Sequence, residues 1–130
     1  MSVRIDAPLH QALERTRVAL AEQGFGILTE IDVAATLKAK LDVEVPPQVI
    51  LGACNAPLAR EGLQIEPDLG LLLPCNVVVR TDDSGQTLVS SLNPQIMVSV
   101  PGRPELEPIA ADAKLRLQNA LAAVAASSAG

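Results

Sequence analysis

Aromatic residues are almost absent from this chain of 130 residues, which contains one phenylalanine, Phe25, and neither tryptophan nor tyrosine. Proteins that bind single-stranded nucleic acid stack bases on aromatic side chains, and this chain offers no such platform. Basic residues are also few, because ten Lys and Arg stand against fifteen Asp and Glu, for a net charge of −5. A surface that follows phosphates needs clustered positive charge. We therefore expect no nucleic-acid partner.

Long apolar runs are missing as well. No stretch reaches the ~18–20 apolar residues that cross a bilayer, so we expect no membrane partner. Residues 1–6 lack a basic segment followed by an apolar one, so we expect no secretory signal. Two cysteines without such a signal fit a reducing compartment, where both would be free thiols. The predicted location is the cytoplasm.

What the chain does have is aliphatic residues, since 48% of it is hydrophobic with almost no aromatic contribution. A chain of this length points to one core that Leu, Val, Ile and Ala fill. We predict a single α+β domain over residues 1–126 and a frayed C-terminal tail over residues 127–130.

The hydrophobic pattern predicts an α+β sandwich, an antiparallel sheet with helices packed on one face. A first strand is followed by a helix, four strands with short helical inserts, and a final helix with a regular apolar stripe. The predicted strands cover residues 3–7, 25–31, 48–54, 71–80 and 86–91. The nearly continuous apolar run Val77–Val79 predicts a central position for the fourth strand.

A Cys-Asn dipeptide occurs twice, as Cys54-Asn55 and Cys75-Asn76, each at the end of an apolar run. These are the only thiols, and both lie where a strand meets a loop. Cys54 precedes a predicted helix, whose positive N-terminus favours a thiolate. If the strand ends lie side by side, the pair reaches disulfide distance or offers two sulfur ligands to a soft metal. Cysteines that only fill the core are the other interpretation, which we favour.

The other candidate site residues have structural interpretations beside the functional ones. Asn55 is predicted to cap the helix that follows it. Asn76 lies in a strand, where asparagine is depleted, and is expected either to face a cleft or, as we favour, to hydrogen-bond a neighbouring loop. Glu30 and Asp32 lie on one strand face; Asp32 is expected to cap a short helix that has Leu41 on its inner side. Glu30 is either a base, a metal ligand or, as we favour, a solvated strand end.

Three segments carry a resemblance to a known family: 24–32, 51–59 and 71–79, the last two containing the Cys-Asn dipeptides. In them the chain resembles the domain-of-unknown-function 302 family over nearly its whole length. One small departure is Ala56, where the family tends to have proline. The resemblance implies a TATA-binding-protein-like topology, β-α-β4-α, and a homodimer. It implies no activity.

Two classes of function remain open. The first is a binding or interaction module with no catalytic residues, because no complete catalytic constellation is visible, and its small ligand is of unknown identity. The second is a thiol-dependent redox, sulfur-carrying or soft-metal protein that uses Cys54 and Cys75. No cofactor is indicated, and the ligand set is too small for an intrachain structural zinc site. A hydrolase using Glu30 or His10 is a distant third.

Overall fold

A five-stranded antiparallel sheet is the centre of the computed structural model, which describes residues 1–128. The strands are β1 (Ser2–Ile5), β2 (Gly26–Asp32), β3 (Gln48–Cys54), β4 (Cys75–Thr81) and β5 (Thr87–Ser91). They lie in the order β1-β5-β4-β3-β2, and each neighbouring pair is antiparallel. The strand that contains Val77–Val79 is therefore the middle one, as predicted.

In the part of the chain that the structure describes, five helices complete the fold: α1 (Leu9–Glu22), α2 (Val33–Leu41), α3 (Ala56–Ile65), the short α4 (Ile96–Ser99) and α5 (Glu107–Ser128). Two 3₁₀ turns cover Pro67–Leu72 and Pro104–Leu106. The predicted α+β class and its β-α-β4-α order with short helical inserts are confirmed. Of the predicted frayed tail, residues 129 and 130 lie outside the described residues, and α5 continues through Ser128.

The core lies between the sheet and helices α1 and α5, which pack against each other and against the sheet. Alternate residues of the central strands point into it: Leu51 and Ala53 of β3, Val77 and Val79 of β4, and Val89 of β5 are all buried. The predicted stripe of the final helix is also buried, namely Leu106, Ile109, Ala113, Leu117, Ala120 and Val124. Phe25 is the one aromatic residue of this core, and aliphatic side chains fill the rest of it because they interdigitate closely.

The start of β4 differs from the prediction. Residues 71 and 72 belong to the 3₁₀ turn, Leu71 is 85% exposed, and the strand begins only at Cys75 after a cis Leu73–Pro74 bond. Glu66 starts this turn, because its carboxylate accepts a hydrogen bond from the Asp68 amide at 3.0 Å. A short leucine run fits a buried strand and a turn equally well, and the turn chemistry decides.

Helix α2 also differs in one respect, because Leu41, expected on its inner side, is 65% exposed. The helix connects the edge strand β2 to β3 and buries none of its residues, so it has no deep inner side. Its N-terminus is as predicted, since the Asp32 carboxylate accepts a hydrogen bond from the Ala35 amide at 2.9 Å.

The hairpin between β4 and β5 is organised by Asp82. Its carboxylate accepts hydrogen bonds from the Ser84 hydroxyl at 2.6 Å, from Arg4 at 2.7 Å and from the Gln86 amide at 2.9 Å. These bonds, the Ser84 hydroxyl first, hold the pKa of Asp82 well below its usual range. Gly85 has φ +84° and closes the turn.

Candidate functional site

Both cysteines lie on the wall of one small cavity, which we call the cysteine cavity. It lies between the ends of β3 and β4 and the helices that pack on them. Its volume is about 30 Å³, and its wall includes Phe25, Cys54, Asn55, Leu58, Cys75 and Met97. The only polar side chains among its lining residues are the two thiols and the Asn55 amide.

The antiparallel register of β3 and β4 brings the two cysteines together. Ala53, the residue before Cys54, lies directly opposite Cys75. Cys54 is the last residue of β3 and Cys75 is the first of β4, so both are at the same end of the sheet. The structure thus places the two Cys-Asn corners beside each other, whereas the sequence alone left this open.

The two thiols differ in exposure and therefore in chemistry. Cys75 is 5% exposed, and burial, followed by the charge of Cys54, raises its pKa to about 11. At neutral pH only about one Cys75 side chain in ten thousand is then a thiolate. Cys54 is half-buried, so a reagent from solvent reaches this thiol first.

Asn55 is the N-cap of α3, as predicted. Its side-chain oxygen accepts a hydrogen bond from the Leu58 amide at 3.2 Å, and the residue is 8% exposed. The cap fixes where α3 begins, and hence where Leu58 and the rest of the first turn meet the cavity. Asn55 therefore shapes this wall.

Asn76 lies elsewhere, on the exposed face of the sheet opposite Gly52. Within residues 1–128 no side-chain hydrogen bond from Asn76 to a neighbouring loop is present. Its backbone carbonyl instead accepts a hydrogen bond from the Leu92 amide at 3.1 Å. The expected hydrogen bond between the Asn76 side chain and a loop is therefore not formed.

Glu30 is also away from the cavity. It is an exposed residue of β2, and its carboxylate forms an ion pair with Arg17 of α1. Arg17 also lies 3.4 Å from the carboxylate of Glu14, so both acids share one guanidinium. This arrangement corresponds to the solvated strand end favoured by the sequence.

Phe25, Leu58 and Met97 are among the cavity residues that were not identified as site residues from the sequence. Phe25 follows Gly24, whose φ of +85° turns the chain at the end of α1. This corner is tied to α5, because Arg116 donates a hydrogen bond to the Gln23 carbonyl at 3.0 Å. Only the uniqueness of Phe25 in the composition was a visible signal.

The family model for the domain of unknown function DUF302 matches residues 1–124. The chain belongs to the DUF302 family. Among solved structures, this DUF302 protein is similar to an uncharacterized conserved DUF302 protein from Bacillus stearothermophilus, seen in a crystal structure. The two share 31% identity with a TM-score of 0.89, over 95% of this chain and 96% of the other. The comparison with curated proteins finds no match.

Over residues 1–128, no helix combines the length and apolar character needed to cross a bilayer. Within the same residues, no group of three or more His, Cys, Asp or Glu side chains is placed to hold a metal ion. Any metal at the cysteine cavity would need a donor of another kind beside the two thiols.

Proposed function

We propose that this DUF302 protein is a non-catalytic binding module that takes a small ligand in the cysteine cavity. One observation carries the proposal: both cysteines of the chain line the same apolar cavity. General acid–base catalysis needs a group that titrates near neutral pH and reaches the substrate. The described lining residues include no carboxylate and no imidazole. These lining residues can therefore contact a ligand, but they include no carboxylate or imidazole for general acid–base catalysis.

The size of the cavity limits the ligand. About 30 Å³ accommodates a water molecule or an ion, whereas pockets for organic ligands measure roughly 300–1,000 Å³. The ligand class that fits is thus an ion or a very small molecule with affinity for sulfur.

Thiol titration with a chromogenic disulfide reagent tests whether the cavity can be reached. We expect one fast equivalent from the native protein, absent in Cys54→Ala, and a second that reacts much more slowly. If both thiols react only after unfolding, no ligand reaches them and the proposal fails.

Thiol chemistry is the second candidate function, and the convergence of Cys54 and Cys75 favours it. Both cysteines are free, which supports a reducing cytoplasm as the proposed location. A turnover assay with glutathione disulfide or p-nitrophenyl acetate separates the two functions. A binding module gives the same background rate as Cys54→Ala. Turnover that disappears in Cys54→Ala replaces the binding module with a thiol enzyme.

We also propose that the protein is a homodimer formed through β2. This strand is at the edge of the sheet, and within residues 1–128 its outer edge pairs with no strand. Leu28 is 66% exposed and Ile31 is 47% exposed, and the strand contains neither lysine nor proline to block further pairing. The same edge of a second copy can pair with it in the antiparallel direction about a two-fold axis.

Light scattering after gel filtration tests this arrangement. The wild type is expected at twice the chain mass, and Leu28→Lys at the chain mass. Leu115→Lys changes an equally apolar residue, 58% exposed on α5, and is expected to remain dimeric. A monomeric wild type, or a Leu28→Lys protein that stays dimeric, contradicts the β2 interface.

A further inference from the structure

We propose that the cysteine cavity binds one soft monovalent metal ion, of the Cu(I) and Ag(I) class, through the sulfur atoms of Cys54, Cys75 and Met97. This inference rests on the proposed binding function and names its ligand. The chain has four sulfur atoms in all, in two cysteines and two methionines. Three of these four residues, Cys54, Cys75 and Met97, line a single small cavity.

The donor set selects the class of ion. Thiolates and thioethers are soft ligands that favour Cu(I), whereas Mg²⁺ and Ca²⁺ need several oxygen donors. The described lining residues offer no carboxylate or hydroxyl. A structural zinc ion takes four donors from Cys, His and carboxylates, and this wall provides only the two cysteines. Two thiolates with a thioether suit a d¹⁰ monovalent ion, which accepts low coordination numbers.

Met97 is well placed to be the third donor. It belongs to the single-turn helix α4, which the Met97 amide helps to close by donating to the Pro94 carbonyl at 2.9 Å. The residue is 4% exposed, so its thioether is held inside the protein. Packing alone is the competing role of a buried methionine, and the long unbranched side chain suits either role.

Binding involves proton loss without any change of oxidation state. Two S–H bonds break, two metal–thiolate bonds and one metal–thioether bond form, and two protons leave to water. The site then carries one net negative charge, which an apolar cavity disfavours. Helix α3 begins two residues after Cys54, and its positive N-terminus lies beside this charge and offsets part of the cost.

Anaerobic titration with the Cu(I)–acetonitrile complex against a chromogenic Cu(I) chelator tests the site. The wild type is expected to bind one equivalent. Because the chain lacks Trp and Tyr, thiolate-to-copper absorption is visible in an otherwise empty near-ultraviolet spectrum. Ag(I) is the redox-inert second probe, and X-ray absorption at the copper edge should show sulfur neighbours only.

The variants separate coordination from packing. Cys54→Ser is expected to abolish stoichiometric binding, and Cys75→Ser, checked for folding by circular dichroism, to do the same. Met97→Leu is expected to weaken the affinity at least about tenfold, since even outer-shell changes have effects of that order. Ile109→Leu, a change of shape on the same wall without loss of sulfur, is the matched control and should bind as the wild type does.

The three-sulfur site is overturned by a wild type that binds no Cu(I) or Ag(I), or by binding that survives Cys54→Ser. Equal affinity in Met97→Leu and Ile109→Leu also overturns it, because Met97 then only packs. Failure of the metal inference is distinguishable from failure of the binding module. A native Cys54 that reacts with the disulfide reagent while no metal binds refutes the metal and leaves the cavity open to another ligand.

Discussion

Alkaline pH is expected to destabilise the protein through Cys75. Burial raises the pKa of this thiol from 9.0 to about 11 in the native state. Between these values the native protein keeps a proton that the unfolded chain has lost, so stability falls as the pH rises. The contribution is complete below about pH 8 and is lost by the time the pH passes about 11. Two pKa units correspond to about 2.7 kcal/mol of unfolding free energy.

Urea unfolding, followed by far-ultraviolet circular dichroism because the chain lacks Trp and Tyr, measures this effect. Wild type and Cys75→Val are compared from about pH 8 to about pH 11 under a phosphine reductant. Lysines and other groups titrate in both proteins, so their contributions cancel in the difference between the two unfolding free energies. The stability of the wild type relative to Cys75→Val should fall by about 2–3 kcal/mol across this range.

The Cys54→Ala background provides the control. There the pH effect of Cys75 should persist in large part, because burial is the larger cause of the raised pKa and the charge of Cys54 the smaller. Parallel stability curves for wild type and Cys75→Val at every pH would refute the reasoning. They would mean that Cys75 is solvated in the native protein and that the cavity is wet.

Three further changes test the packing, a cap and the hairpin. Gly52→Ala is expected to lower the free energy of unfolding by about 1–3 kcal/mol, since its methyl group would lie 2.7 Å from Cγ of Pro74. Asn55→Ala should cost about 1 kcal/mol by leaving the Leu58 amide uncapped. In the wild type, the lowered pKa of Asp82 stabilises the fold above about pH 4, and this contribution is lost as the pH falls towards the native pKa. Asp82→Asn should therefore lose less stability than the wild type when the solution is acidified.

Matched variants accompany each of these urea-unfolding measurements. Gly70→Ala adds a methyl group that has no neighbouring atom within 4 Å. If it lowers the free energy of unfolding as much as Gly52→Ala does, a packing effect is not the cause. Asn55→Asp keeps a capping oxygen and should retain most of the stability; if it behaves as alanine does, the cap is not the cause. Asp83→Asn leaves the hairpin hydrogen bonds in place and should lose stability in acid as the wild type does. If Asp82→Asn loses as much stability in acid as the wild type, the hydrogen bonds of Asp82 do not stabilise the hairpin as argued.

Local patterns predicted much of the fold. The boundaries of β3 and the caps at Asp32 and Asn55 agree with the structure, because each depends on neighbouring residues only. The predicted start of β4 was wrong, because a leucine run has no periodicity that separates a strand from a turn. The prediction that Leu41 faces inward was wrong, because the burial of this side chain depends on which elements cover α2.

The candidate site was predictable only in part. The repeated Cys-Asn pattern marked two corners of the chain, but only the pairing of Ala53 with Cys75 brings them to one cavity. Met97 joins the same wall from a single-turn helix about twenty residues after Cys75. No local spacing encodes that approach, since it results from how α4 packs against the end of the sheet.

The lone aromatic ring of the chain lies on the wall of the cysteine cavity. In a proton NMR spectrum the ring resonances of Phe25 therefore stand without overlap from any other phenylalanine, tyrosine or tryptophan. The protein thus carries an unlabelled reporter at the place where a ligand would bind, and occupancy can be followed from the shift of one spin system.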